Sequence, residues 1–459
     1  MCTPVGRLSD EMILRILECC EDELKYHILR DEGAKSSPAF LLCRRWRNIA
    51  IHSASLWTHI SLPMPSALFA LFCNRSRHLP LRVYIKTQSM PGEKENYHRL
   101  GSFLLQILPR IAHLRVDWSC ELPEAKPLNA FLAEQVGQRE WSALTLLEVE
   151  DVEGDSDPHV HFNAPQLRIL RYEGQGFSVP YFSKDSIVNL RLNCPILAMD
   201  DLLDVLSRLP RLKQCSVVCV PDLDADDEFH RTVSLPELRR LSFGSIYVSQ
   251  MSDILEHLIL PPQCRMDLSI CEDSPVQASF GQFIAPYLIF SDKCWLSDTS
   301  DYIGYYFSSK SDGDIDIAYH PEKDGPEFEP LRPLASHANT LTFIDLEIQS
   351  LPFAGEVRRI LDFWIHVKHI GIHTGKVAFQ RFLEAFAIPP NGPCPRLESF
   401  DCTETKFCTN HMNQFLTLRL THGSPLKKLT FTKRLADAEE GDVDYSLLVK
   451  TIQKLNHVV

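Results

Sequence analysis

The chain has no run of 18 or more apolar residues of the kind that spans a bilayer. Its opening Met1-Cys2-Thr3-Pro4-Val5-Gly6-Arg7 lacks the apolar core of a secretion signal. These absences lead us to expect a soluble intracellular protein, cytoplasmic or nuclear, with no membrane partner. An excess of basic residues is also missing. The net charge of −13 argues against broad nucleic-acid binding, which needs a basic surface to displace phosphate counterions. The 15 cysteines include no Cys-x-x-Cys pair, so neither a zinc site nor a redox site has a framework, and reduced thiols are expected.

Catalytic signatures are absent too. There is no P-loop, HExxH, GxSxG or dinucleotide fingerprint. Gly174-Gln-Gly176 lacks a third glycine and a following helix, so it reads as a turn. His366, His369 and His373 invite a metal reading, but on a strand His366 faces differently from the other two. The expectation is a chain without catalysis, cofactor or metal. Apolar content of 44% and charged content of 23% are ordinary for a folded protein and argue against wholesale disorder.

The first sixty residues hold two amphipathic segments. In Leu8-Ser9-Asp10-Glu11-Met12-Ile13-Leu14-Arg15-Ile16-Leu17, Ser9 can cap a helix start, and Asp10 and Glu11 suit its positive end. A second helix is expected over Phe40–Ala50, with Cys43, Trp46, Ile49 and Ala50 on one stripe. Ser55-Leu56-Trp57-Thr58-His59-Ile60 comes next. Periodicity alone allows these helices to be a simple cap on the first turn of a larger domain. The residue order, over roughly residues 7–62, resembles the F-box of adaptor proteins, especially the fungal families. The resemblance implies a three-helix module that docks on the Skp-type linker of a cullin–RING (SCF-type) ubiquitin ligase. By position it implies that Leu8, Ile13, Leu14, Ile16 and Leu17, with Leu41, Leu42, Cys43 and Trp46, form or support that docking surface. Ser9 stands where the family usually has proline, and the connection 21–37 is longer than usual.

A hexad recurs along the rest of the chain: an apolar residue, two spacers, a second apolar residue, one spacer, a third. It appears at Ile111-Leu114-Val116, Leu144-Leu147-Val149, Leu167-Leu170-Tyr172, Ile187-Leu190-Leu192, Leu212-Cys215-Val217, Leu238-Leu241-Phe243 and Leu255-Leu258-Leu260. It resumes at Leu341-Ile344-Leu346, Val367-Ile370-Ile372, Leu397-Phe400-Cys402 and Leu426-Leu429-Phe431. Proline often sits two residues ahead, as in Ala164-Pro165, Leu209-Pro210, Leu235-Pro236 and Cys394-Pro395. Helix-like patches such as Met199–Leu209 lie between. The pattern resembles irregular leucine-rich repeats, one short strand plus a helix or loop per unit, each buried only against its neighbours.

The expected fold class is therefore α/β: an F-box-like helical module at 1–62, a junction with a first degenerate repeat at 63–110, and a leucine-rich-repeat solenoid over 111–459. Residues 262–333 break the rhythm, as two degenerate repeats with long loops or as an insertion over the concave face. Tyr445–Asn456 reads as a closing amphipathic helix. Strand alternation sends Arg171, Arg191, Arg240, Asp345, His369 and Asp401 to the concave sheet face, where opposed charges would suit a charge-patterned target protein. The function expected is a substrate-recognition adaptor of an SCF-type ligase, holding a target of unknown identity. The alternative is a repeat scaffold for protein interaction without ligase recruitment.

Overall fold

The structure is a computed structural model that describes residues 8–19, 43–87, 94–118, 128–151, 163–174, 186–194, 199–219, 231–271, 277–299, 302–309, 313–320, 331, 333–334, 340–388, 392–432, 436–437 and 445–455. The chain divides into two compact units, Met1–Leu212 and Lys213–Val459.

The first unit opens with helices α1 (Asp10–Cys19) and α2 (Arg44–His52). Ser9 caps α1 as its composition suggests, its Oγ accepting the Met12 amide at 3.3 Å. Ile13 and Leu17 of α1 bury against Trp46 and Ala50 of α2, with Leu8, Ile16, Ile49 and Leu56 packed at the edge. Arg45 ties the two helix starts together, donating from Nε to Asp10 at 2.9 Å and from Nη2 to the Leu8 carbonyl at 2.7 Å. Trp57 then hands the module on to the sheet. Its indole N–H donates to the Ala50 carbonyl at 2.8 Å, and its ring meets Phe72 edge-on at 5.0 Å.

The rest of this unit combines strands and helices. Strand β1 (His59–Leu62), helix α3 (Ser66–Arg75), β2 (Leu81–Lys86), α4 (Lys94–Ile107), β3 (Ile111–Trp118), α5 (Leu128–Gln135), β4 (Leu146–Asp151), β5 (Ile169–Gly174), β6 (Asn189–Cys194) and α6 (Met199–Ser207) come in that order. The six strands pair in sequence order, all parallel. Parallel neighbours require a crossover between them, and α3, α4 and α5 lie in the connections from β1 to β2, β2 to β3 and β3 to β4.

The second unit contains β7 (Gln214–Cys219), β8 (Val233–Ser234), β9 (Arg240–Tyr247), α7 (Val248–Glu256), β10 (Leu258–Ile259), β11 (Arg265–Cys271), α8 (Gln277–Phe290), β12 (Lys293–Asp298), β13 (Ile303–Ser308) and β14 (Ile315–His320). It continues with β15 (Phe343–Glu347), α9 (Ala354–Phe363), β16 (His369–His373), α10 (Lys376–Ala387), β17 (Ser399–Cys402), β18 (Phe407–Cys408), α11 (Thr409–Thr421), β19 (Lys428–Thr432), β20 (Ala436–Asp437) and β21 (Thr451–Leu455). Its main sheet runs β7-β9-β11-β14-β13-β12-β15-β16-β17-β19-β21, and only β13 lies antiparallel to its neighbours. Each unit is a mixed α/β body with a long parallel sheet, consistent with a leucine-rich-repeat solenoid.

The hexads explain this register. In Leu238-Leu241-Phe243, for example, all three side chains are buried, the last two from inside the strand. The recurrent proline has a local role. The amides of Leu167, Leu212, Leu238 and Leu397 return to the carbonyls of Ala164, Leu209, Leu235 and Cys394 at 3.0 to 3.1 Å. That places each proline at the second position of a β-turn, where its fixed φ suits the chain, and the turn delivers the first apolar residue inward. The helices cover the buried face of the strands: Phe379 and Phe382 of α10 lie against Phe400 of β17, at 6.1 and 6.2 Å between ring centroids. Cysteine serves here as a small apolar residue, and burial pushes the thiols of Cys215 and Cys394 up to about 12.

Three expectations need correction. The Leu255-Leu258-Leu260 hexad is not a repeat strand: Leu255 lies in the last turn of α7, and Leu258 belongs to β10, which among the described residues pairs with β8 alone. The true unit begins at Cys264, whose amide closes the same turn on Pro261 at 2.9 Å, and buries Leu268 and Ile270 from β11. One extra residue between Cys264 and Leu268 hides it from a fixed spacing. The C-terminal segment is not a helix. After a turn at Tyr445, Thr451–Leu455 adds to β19 as parallel strand β21, because the open edge of β19 offers backbone partners that an isolated short helix lacks. Within 262–333, β12, β13 and β14 form an antiparallel meander whose outer strands join the parallel array, β14 to β11 and β12 to β15. This stretch is therefore part of the sheet, neither a pair of repeats in sequence order nor a lid laid over it.

Candidate functional site

Alternation within each strand leaves one face of the sheet to helices and the other to whatever approaches it. Arg171 and Arg191 lie on this second, open face in the first unit, and Arg240, Asp345, His369 and Asp401 lie on it in the second; most are already engaged. Arg171 donates to Glu148 of the neighbouring strand at 2.6 Å. Arg240 reaches Asp267 at 2.6 Å, and Arg265 reaches the same carboxylate at 3.1 Å. Arg191 stands beside Arg171 in register, exposed and with no ion partner among the described residues. Asp401 accepts the Thr403 amide at 3.0 Å and so shapes the turn leaving β17. The opposed charges expected of this face are thus partly taken up by local pairing with Glu148 and Asp267, whose register the sequence did not disclose.

The densest chemistry on this face lies where the antiparallel strand enters. Tyr306 of β13 and Trp295 of β12 are direct partners, their rings 5.1 Å apart at 61°. Trp295 contacts Phe343 of β15 at 5.0 Å, and Phe343 stacks on His369 of β16 at 4.3 Å and 7°. Four aromatic rings therefore run across four adjacent strands. Burial pushes the His369 imidazole down from 6.5, which favours the neutral ring.

Carboxylates border this row. Asp345 pairs in register with Trp295 on one side and Gly371 on the other. It passes over Gly371 to reach His373 Nε2 at 3.0 Å, while His373 Nδ1 meets the Thr403 carbonyl at 2.7 Å. With both ring nitrogens facing acceptors, His373 is held up to about 9, chiefly by the Asp345 hydrogen bond. Glu347 accepts the Ser297 hydroxyl at 3.3 Å. Asp316 of β14 completes the set; desolvation first, then the Asp267 carboxylate, push it up from 3.8. Together Trp295, Tyr302, Tyr306, Asp316, Asp345 and Glu347 line most of a cleft of about 270 Å³. Sequence reasoning missed Trp295, Tyr306 and Asp316. The alternation in Tyr302–Phe307, with Ile303, Tyr305 and Phe307 buried and Tyr302 and Tyr306 outward, is the signal that could have found the two tyrosines.

At the N-terminus, Ile13, Leu17 and Trp46 are spent on the contact between α1 and α2, and Leu8 and Ile16 support it. Leu14 is half-buried, Cys43 is exposed, and Met12 on α1 is 53% exposed. Leu41 and Leu42 lie outside the described residues. Among the described residues no group of histidine, cysteine and acidic side chains has the arrangement to hold a metal ion. No described helix is long and apolar enough to cross a membrane.

No protein-family model matches the chain, and no curated protein matches it. Among solved structures it is similar to an internalin from Listeria monocytogenes, at 10% identity over 88% of this chain and 89% of that one, with a TM-score of 0.25. A score that low carries no argument about fold or function, so function has to come from this chain's own geometry.

Proposed function

We propose that the chain is a protein-interaction scaffold that holds a partner protein across the open face of the second unit's sheet. One observation carries this reading: Tyr306, Trp295, Phe343 and His369 form a continuous row of half-buried rings on the strand face opposite the buried core positions. Aromatic side chains set in a rigid sheet lose little entropy on contact and dominate binding energies at interfaces. The test is a peptide-library selection against the full chain, followed by Trp295→Ala and Tyr306→Ala. Selected peptides should bind at least tenfold more weakly to both variants, and unchanged to Arg359→Ala, an exposed position on helix α9. Peptides indifferent to both aromatic changes would overturn the assignment.

The finer reading is a substrate-recognition adaptor of an SCF-type ubiquitin ligase, with the α1–α2 pair docking on a Skp-type linker. Its support is the sequence resemblance, together with a helical pair that packs through one face and keeps Met12 outside its core. Adaptor action would then be effective concentration, a target lysine held near the transfer enzyme. In a pull-down, the wild-type chain should retain a Skp-type protein, and Met12→Asp with Leu14→Asp should lose it at unchanged helicity. If the wild-type chain retains none where established F-box proteins do, the chain is a scaffold without ligase recruitment.

A further inference from the structure

We propose that the cleft at Trp295, Tyr306 and Asp316 takes a cationic side chain, the guanidinium or ammonium of an arginine or lysine carried on an extended segment of the partner protein. This rests on the scaffold reading and names the chemistry of the partner at that same face.

Three observations converge on a cation. First, the walls are aromatic: the Trp295 and Tyr306 rings stand at 61° to each other, and Tyr302, 39% exposed, adds a third. Ring faces carry the negative end of the quadrupole and attract a positive head while the apolar stem packs on the same carbon surface. Second, the charges facing the cleft do not balance from within. Asp316, Asp345 and Glu347 line it against a single cationic group, His373, which Asp345 already holds. On the β11 side, Arg240 and Arg265 both close on Asp267. Asp316 makes no hydrogen bond or ion pair among the described residues, and the one cation on that side whose charge reaches it, Arg265, is already closed on Asp267. Third, about 270 Å³ is room enough for one long side chain.

Other occupants fit worse. A phosphate or acidic side chain would meet three carboxylates. A purely apolar group would desolvate Asp316 and Glu347 without supplying a partner, which costs more than the apolar contact returns. A cation answers the carboxylates and the ring faces at once.

The experiment uses the full chain and nine-residue glycine–serine peptides that differ only at the centre: Arg, Lys, trimethyl-Lys, Glu or norleucine. The Arg and Lys peptides should bind at least tenfold more tightly than the Glu and norleucine peptides. Asp316→Asn combined with Glu347→Gln should remove most of that preference, and Trp295→Phe should retain more binding than Trp295→Ala. Trimethyl-Lys binding as well as Lys still supports a cation, with the rings carrying more of the attraction than the carboxylates. Equal binding of the norleucine or Glu peptide, no binding of the basic peptides, or indifference to the double acid replacement overturns the inference. If library-selected peptides still depend on Trp295 while the basic preference is missing, only the cation assignment fails. If Trp295→Ala changes nothing in either assay, the scaffold reading falls as well.

Discussion

Asp345 bridges from β15 to His373 on the neighbouring strand β16, its carboxylate 3.0 Å from Nε2 of the imidazole. The Thr403 carbonyl occupies the other ring nitrogen at 2.7 Å, so the fully protonated ring satisfies both acceptors. An imidazolium pinned in this way joins β16 to β15 and to the turn after β17.

The pairing makes stability depend on pH in a defined direction. His373 is raised from 6.5 to about 9 in the folded chain. A raised folded value means that the stabilisation is fully present below about pH 6.5 and is lost as pH rises through about 9. Its upper bound is about 3 kcal/mol. Urea midpoints of the wild-type chain should therefore fall between pH 6.5 and 10 more steeply than those of Asp345→Asn, and the His373 ring proton should titrate near 9 by NMR. A titration near 6.5 in the wild-type chain would contradict the geometry.

Gly371 makes the bridge possible. A Cβ at this position would lie 2.4 Å from Asp345 Oδ1, in the path the carboxylate takes to His373. Gly371→Ala should push the carboxylate aside, lower the His373 titration toward 6.5 and cost roughly 1–3 kcal/mol of stability. The variant's pH profile should flatten to resemble that of Asp345→Asn. A stable variant with the titration still near 9 would show that the carboxylate has another route.

The legible and illegible parts of this fold separate on physical grounds. Leucine spacing and the proline turn are local, and they locate strands such as β5, β9 and β17 directly. What pairs with what is not local. Nothing near Lys293 or Ile315 tells that β13 enters antiparallel between β12 and β14, and so nothing tells that Trp295 faces Tyr306. The Thr451–Leu455 strand hides for the same reason, since the edge of β19 outweighs the helical periodicity of its own residues. The charges of the open face are visible residue by residue, while the partners Glu148 and Asp267 depend on register. At the N-terminus the apolar stripe predicts the helices but cannot say that Ile13, Leu17 and Trp46 face each other rather than a partner.

Arg419 illustrates a contact that sequence periodicity treats as an error. It sits in α11 only 3% exposed, and its guanidinium donates to the carbonyls of Pro393 and Cys394 at 3.1 and 2.9 Å and of Leu397 at 2.9 Å. Burial pulls its pKa down from 12.5; a guanidinium keeps its proton in proteins, and here backbone oxygens solvate the cation. It fastens α11 to the turn that launches β17. Arg419→Ala should cost about 3–5 kcal/mol, because it orphans buried carbonyls and leaves a void. Arg419→Lys should recover only part, since an ammonium cannot span the fork. Both are read from urea unfolding, and a loss under about 1 kcal/mol for Ala would refute the role.

Trp46 gives the sharpest separation of fold from partner at the N-terminus. Trp46 is 7% exposed between α1 and α2, so Trp46→Ala removes core from a module in which, among the described residues, its buried companions are Ile13, Leu17 and Ala50. A cavity of that size costs about 3–5 kcal/mol, more than two short helices can spare. The pair should open, lowering helicity and exposing Leu8–Cys19 to protease, while the sheet units keep their cooperative transition. Met12→Asp should leave helicity and protection at wild-type levels, because Met12 lies 53% exposed and outside that core. Loss of a linker protein on Trp46→Ala would therefore say nothing about docking, whereas loss on Met12→Asp with protection intact would. If Trp46→Ala instead keeps full protection over Leu8–Cys19, the packing of α1 on α2 is not what holds the module together.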